Sequence, residues 1–170
     1  MEIRKERPSD TKSIELLTYQ AFENHPHHAP NAAPTEHKII QHLRDSGVLT
    51  LSLVAVEHDD IIGNIAFSPV MINGKDSQWY GLGPLSVLPS KQRQGIGREL
   101  ILAGLTLLEK AGAEGVVLLG EPDYYGRFGF RADPRLTLAD VPPEYFLIKP
   151  FRAEIPVNQG NVTYHPAFYL

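Results

Sequence analysis

The succession of residue patterns along the chain predicts an α/β fold, a mixed sheet with helices packed on both faces. Two observations carry this. Runs of β-branched and aliphatic residues alternate with segments whose apolar residues recur at helical spacing. A glycine-containing turn, 92–98, joins a strand to a helix near the middle of the chain. The length, 170 residues, suits one domain with a sizeable core and falls short of what two domains usually need.

Glu2 to Glu6 predicts a first strand. Pro8, Ser9 and Asp10 then supply a turn and a helix N-cap ahead of the helically spaced Ile14, Leu17 and Phe22. From Asn24 to Pro34 the chain is rich in His, Pro, Ala and Asn and has neither period, so a loop is expected. A second helix begins near Thr35, carries Ile39, Ile40 and Leu43, and stops at Gly47. Thr50 to Glu57 and Ile61 to Phe67 read as a hairpin. After a turn at Asn73 and Gly74, a strand runs from about Gln78 to Val87 and ends at Pro89.

Leu100, Ile101, Leu105 and Leu108 share one face of a helix from about Gly95 to Lys110, closed by Ala111 and Gly112. Gly115 to Leu119 has the short, wholly apolar character of a strand buried inside a sheet. Asp123 then caps one short helix, Tyr124 to Phe128, and Gly129 turns the chain into a strand from Phe130. The Pro-rich remainder, from Pro134, holds two strand-like pieces, Tyr145 to Ile148 and Asn161 to Tyr164, expected to pair antiparallel with each other.

Composition narrows the function. Hydrophobic residues make up 42% and charged residues 21%, which suits an autonomous globular fold rather than disorder. Sixteen basic against twenty acidic residues leave a net charge of -4, which argues against a broadly basic surface for nucleic acid or anionic membrane. With no cysteine there is no disulfide framework, no thiolate metal site and no acyl-cysteine mechanism. The charged stretch from Met1 to Asp10 does not read as a secretory signal, and no apolar run approaches the roughly 20 residues that span a bilayer. A cytoplasmic location is the expectation.

The segment Leu85 to Arg98 carries the chemistry. Gly95 and Gly97 let the backbone bend and approach a ligand, and the helix that starts there offers unpaired amides and a positive partial charge. Such a turn binds phosphate. Arg93 and Arg98 add charge-assisted contacts to a diphosphate, and Lys91 reaches a further phosphate. Taken alone, a Gly-x-Gly also serves as a plain strand-to-helix turn with solvated basic neighbours. Neither the Walker spacing nor the dinucleotide fingerprint is present.

Gln92, Gly95 and Gly97 match the pyrophosphate-binding motif of the GNAT acetyltransferases, which the sequence resembles. Gly83 to Leu88 is similar to the family strand that runs beside the pantetheine arm, and Tyr125, Gly129 and Phe130 match its Tyr-x-x-x-Gly-Phe ending. The resemblance spans about residues 1–132, leaving 133–170 as a C-terminal strand extension of one domain, 1–170. It implies a mostly antiparallel central sheet. The run Tyr124 to Phe130, with Val162, Tyr164, His165 and Pro166, further resembles the YhbS-like bacterial branch.

The resemblance also implies the chemistry: transfer of acetyl from acetyl-CoA to a primary amine of a small molecule or protein, within a ternary complex and without a metal. Backbone around Leu85, Ser86 and Val87 would hold the pantetheine and polarise the thioester. Gln92, Arg93, Gln94, Gly95, Ile96, Gly97 and Arg98 would cradle the pyrophosphate, and Tyr125 would protonate the leaving thiolate. Glu121 is the first choice for general base. The bland alternatives are a core aromatic at Tyr125 and a solvated turn carboxylate at Glu121, and Tyr124 reads as packing.

His25, His27, His28 and His37 cluster in or beside the first loop, but no carboxylate or cysteine is spaced to complete a metal site with them. Trp79 and Tyr80 line an acceptor pocket or belong to the core. A homodimer through the apolar tail from Val162 to Leu170 is the expected assembly. Of the competing functions, a CoA-binding sensor has no need of Tyr125, and a nucleotide binder lacks base and ribose contacts.

Overall fold

The computed structural model describes residues 1–23, 33–152 and 160–169. Its strands are β1 (Glu2–Lys5), β2 (Leu51–Glu57), β3 (Asp60–Ile72), β4 (Lys75–Val87), β5 (Gly115–Leu119), β6 (Leu136–Leu138), β7 (Phe146–Pro150) and β8 (Gly160–Thr163). The helices are α1 (Thr11–Phe22), α2 (Glu36–Asp45), α3 (Ile96–Lys110) and the single turn α4 (Pro122–Tyr125). All strands join one sheet, in the order β1-β2-β3-β4-β5-β7, with β8 beside β3 and β6 beside β8. Among the described residues only β4–β5 and β6–β8 pair in parallel.

Strand alternation sends successive side chains to opposite faces, so one hairpin feeds two cores. Leu53, Ala55, Ile65 and Phe67 pack with Ile96, Leu100, Ile101, Leu105 and Leu108 of α3. Their neighbours Val54 and Ala66 face the other way, onto Ile14 of α1 and Ile40 of α2. Helices therefore cover both faces, as expected. Both long hairpins close on two-residue turns with positive φ, His58–Asp59 and Asn73–Gly74, residue types that tolerate that backbone and so fix the register.

Close approaches at glycines set how deeply the layers interlock. A Cβ on Gly104 of α3 would run into the Phe67 ring, and one on Gly115 of β5 would run into the indole of Trp79. Trp79 is accordingly a buried core residue, packed with Val117, Phe146 and Ile148, and is not part of a ligand pocket. Tyr80 packs at the edge of the larger core.

Several sequence expectations are corrected. The two C-terminal strands do not pair with each other: β7 runs antiparallel to β5, while β8 pairs with the far end of β3 and with β6. Asn73 fixes that end, since the Asn161 N–H donates to its side-chain oxygen at 2.9 Å while the Asn73 N–H donates to the Asn161 carbonyl at 2.9 Å. The strand expected from Phe130 shrinks to one bridge between Arg131 and Ile148. The short helix is α4 followed by a 3-10 turn, Gly126–Phe128, and Asp123 lies inside its first turn instead of capping it.

Asp10 does occupy the N-cap position of α1, as expected, but its side chain makes no bond to that helix. It closes a 3-10 turn, Pro8–Asp10, and its buried carboxylate accepts from the Arg7 N–H at 2.7 Å and from the Arg4 guanidinium at 2.7 and 3.2 Å. Much of the tail is buried in its own chain, including Val162, Tyr164 and Ala167.

Trp79 is the only tryptophan, so it reports on its own packing. Gly115→Ala is expected to displace the indole, red-shift its emission, and lower stability by about 1–3 kcal/mol in chemical denaturation, the usual cost of overfilling a packed core.

Candidate active site

Sheet register determines where a ligand can enter. β4 pairs with β5 only as far as Gly81–Val117, while β4 continues to Val87 and β5, still paired with β7, continues to Leu119. Beyond Gly81 the two strands separate. On its other side β4 stays bonded to β3, with a bulge where Leu82 to Leu85 on β4 span only Phe67 to Ile65 on β3. The extra residue falls at Gly83–Pro84.

Backbone direction follows from the ladder. The Leu88 N–H donates to the Ile62 carbonyl at 2.9 Å, so the alternating pattern turns the polar groups of Val87 and Leu85 away from β3 and into the gap. The Gln92 side-chain amide donates to the Val87 carbonyl at 3.1 Å from that open side. Ser86 is different. Its hydroxyl is buried on the α1 face, donating to Thr18 Oγ1 at 3.4 Å, and it does not face the gap.

At the end of β4 the chain makes a 3-10 turn, Pro89–Lys91, and enters α3 through Gly95, whose φ of 85° is left-handed. Arg93 also has positive φ, 64°, a conformation costly for a residue with a side chain and frequent at functional turns. The Glu99 N–H donates to the Gly95 carbonyl at 3.1 Å, so the amides of Ile96, Gly97 and Arg98 precede the first α-helical bond and point outward.

Leu85, Val87, Lys91, Gln92, Arg93, Gly95, Ile96, Gly97, Arg98, Tyr124 and Arg127 line a groove of about 560 Å³. Four of these are basic and none is acidic. Lys91 is already engaged with Glu57 at 2.8 Å, and that ion pair holds the Glu57 carboxyl below its usual range. Arg98 meets Glu99 at 3.3 Å in an exposed, solvent-screened pair. Positive charge and free amides at one helix end suit a polyanion such as a diphosphate.

Tyr124 and Tyr125 stand on α4, which β5 delivers beside the groove. A Cβ on Gly97 would lie 3.3 Å from the Tyr124 hydroxyl, and the Arg127 guanidinium sits 5.0 Å from the centre of the Tyr124 ring. The Tyr125 ring packs edge-on to Tyr124 and Phe130 and occupies the space above Gly120 that any Cβ there would take. Burial, with a smaller effect of neighbouring Tyr124, pushes the Tyr125 hydroxyl up from 10.0 to about 12, so it stays protonated at neutral pH.

A second cavity, of about 280 Å³, opens between the strand ends. Leu82, Gly83 and Pro84 of the bulge and Leu119 of β5 form its lips, α1 and α2 contribute Phe22, Glu36 and Ile39, and the tail contributes Phe168.

The structure thus brings Leu85, Val87, Gln92, Arg93, Gly95, Ile96, Gly97 and Arg98 to one groove. Ser86 faces away, and Gln94 turns its amide to the Ser90 carbonyl at 3.4 Å. Glu121 is exposed and lines neither cavity; its carbonyl accepts from the N–H groups of Tyr124 and Tyr125. Sequence reasoning missed Arg127, although its i+3 spacing from Tyr124 was a usable signal. Tyr124, read as packing, does pack edge-on to Tyr125 and Phe128 and also lines the groove. His25, His27 and His28 lie outside the described residues. His37 packs edge-on to Tyr19, and among the described residues no group of three metal-ligating side chains occurs. No helix among them is long and apolar enough to cross a membrane.

Comparison with known proteins gives a consistent result. Residues 49–132 match the family model described as an acetyltransferase (GNAT) domain. The uncharacterized N-acetyltransferase YhbS of Escherichia coli (strain K12) is 41% identical over 131 residues, covering 76% of this chain and 73% of the relative. A crystal structure of the Escherichia coli YhbS protein in complex with CoA aligns with TM-score 0.89 over 99% of this chain and 92% of that one; over this longer span the identity is 35%. A GNAT family acetyltransferase from Brucella melitensis, in complex with acetyl-CoA, is 47% identical, covers 98% of this chain and 97% of its own, and has TM-score 0.84. On this similarity, with the split sheet and the glycine turn between β4 and α3, the chain belongs to the GNAT family of acetyltransferases.

Proposed function

We propose that this chain transfers acetyl from acetyl-CoA to a primary amine by direct attack in a ternary complex, with no metal. The observation that carries the reading is the groove: an unpaired edge of β4 leads into four basic side chains and the free amides of α3. The amides of 96–98 with Arg93, Arg98 and Arg127 receive the diphosphate. The backbone of Leu85 and Val87 receives the pantetheine, as a strand partner would, once Gln92 releases the Val87 carbonyl. The relatives crystallised with CoA and acetyl-CoA support this assignment.

In the reaction the substrate ammonium loses one proton, through water, to Glu121 and then to solvent. The amine nitrogen bonds to the thioester carbon, a backbone N–H on the open edge of β4 stabilises the developing oxyanion, and the C–S bond breaks. The thiolate takes the Tyr125 proton, and the tyrosinate recovers one from the newly acylated nitrogen. The products are the acetamide, CoA and one released proton. All of 1–170 acts as one domain in this reading. Acetyl-CoA as donor favours the cytoplasm, and a homodimer would use the exposed tail residues, such as Tyr169.

Calorimetry tests the groove. Acetyl-CoA should bind the parent, and Gly97→Val, whose side chain meets Tyr124 and Val87, should weaken binding about tenfold or more while the protein stays folded, by displacing charge-assisted phosphate contacts. A folded parent that binds no acetyl-CoA would overturn the proposal. Tyr125→Phe should lower kcat about 10²–10⁴-fold, the usual contribution of a positioned acid, with acetyl-CoA affinity unchanged. Tyr124→Phe should act mainly on that affinity. Retained kcat in Tyr125→Phe would remove the acid role and favour the sensor.

Because the Tyr125 hydroxyl is raised to about 12, its ionisation should impose no falling limb on the pH–rate profile below pH 10.0. The same shift makes the folded state hold a proton that the unfolded state loses. Its stabilising contribution is therefore complete below pH 10.0 and declines as pH rises from there through about 12.

A further inference from the structure

We propose that Tyr164 is a positioning residue for the acetyl donor: its ring fixes β4 where that strand leaves β5, so that the edge at Leu85 and Val87 is preset for the pantetheine. This rests on the acetyltransferase reading above. It adds a residue that lies outside both the matched family segment, 49–132, and the lining of the groove.

The observation is an absent side chain. Gly81 is the last residue of β4 paired with β5. Its φ is not left-handed, so the backbone there would accept a Cβ. What excludes one is the Tyr164 ring, which a Cβ would overlap, with a Val70 methyl 3.3 Å away. Gly83, just beyond, has a φ of 149°, and Phe168 stands 3.9 Å from where its Cβ would be. The stretch of β4 that opens the gap therefore begins with glycines on both sides of Leu82. Glycine leaves a strand loose and gives it no side chain to pack. Aromatic rings laid against the bare backbone supply the missing contact. Here the rings are Tyr164 and Phe168, 5.0 Å apart.

The tail that carries them is itself anchored. Tyr164 directly follows β8, which is laddered to the far end of β3 through Thr163 with Met71 and Val162 with Ile72. The Tyr164 N–H donates to the Tyr169 hydroxyl at 3.3 Å, and the Phe168 N–H donates to the His165 carbonyl at 3.0 Å, which closes the segment into a turn. Tyr164 is buried in one cluster with Val70 of β3 and Val117 of β5, the strands on either side of Gly81. A strand edge held in its ligand-ready shape has less freedom to lose when the ligand arrives. Tyr164 also lines the smaller cavity, so amine kinetics do not isolate its role.

The test uses the full chain and two readouts, acetyl-CoA affinity by calorimetry and amide hydrogen exchange without ligand. Tyr164→Leu removes the ring and should weaken acetyl-CoA about tenfold, the scale of an effect passed on without ligand contact. Exchange should quicken in 82–88 and stay unchanged in α3. Tyr164→Phe keeps the ring and should match the parent in both readouts. Gly81→Ala should reproduce Tyr164→Leu by displacing the ring, and it carries the test should Tyr164→Leu not fold. The two changes together should bind acetyl-CoA better than either alone, because the added methyl then meets free space. A general loss of stability gives no such rescue.

Unchanged acetyl-CoA affinity in a folded Tyr164→Leu or Gly81→Ala protein would overturn the inference. So would exchange that quickens equally in α3, a Tyr164→Phe variant as weak as Tyr164→Leu, or losses that simply add in the double variant. Failure of the acetyltransferase reading shows separately, as a folded parent that binds no acetyl-CoA, and takes this inference with it.

Discussion

Past the Gly81–Val117 pair, β4 and β5 no longer share hydrogen bonds although both remain strands, and the groove that runs from the open edge of β4 to the start of α3 depends on that interruption. A strand edge without a partner is ordinarily a liability, open to adventitious pairing. Here it is kept open by its surroundings. β5 remains laddered to β7 as far as Leu119–Phe146, which draws it away from β4, and the bulge at Gly83–Pro84 bends β4 the other way. Tyr164 packs over Gly81, where no Cβ could be accommodated, at the point of divergence. The ordered tail is thus part of what holds the gap.

The groove is positioned by contacts that require the absence of side chains. Gly63 on β3 brings the first turn of α3 down onto the sheet, with Ile96 and Leu100 atoms 3.0 Å from where its Cβ would be. Gly97 admits the Tyr124 hydroxyl and Gly120 admits the Tyr125 ring. Two tyrosines and a helix end are thereby fixed relative to one strand. Close packing of this kind transmits small displacements, which is why residues that never touch a ligand influence where one sits.

Local features were legible in the sequence, and long-range ones were not. The hairpin of β2 and β3, the face of α3 and the turn at Gly95 each depend on residues within a few positions of one another, and periodicity exposes such features. The partner of Asn161 is Asn73, far back in the chain, and nothing in either segment names the other. The pairing of β7 and β8 was misread for that reason. Asp10 stands at the N-cap of α1, but a preceding 3-10 turn takes its side chain, and a two-residue offset in the start of α4 puts Asp123 inside that helix. The glycine motif located the groove, whereas Glu36, Leu119 and Phe168 meet only because three separate parts of the chain converge.

The two cavities draw on different residues. One is built wholly from the stretch between Leu85 and Arg127, and the other from α1, α2, the β4 bulge, the end of β5 and the C-terminal segments, with no residue in common. Substitutions at separate sites without shared partners combine nearly additively. Substitutions around the second cavity can therefore accumulate one residue at a time while the groove at the start of α3 stays intact.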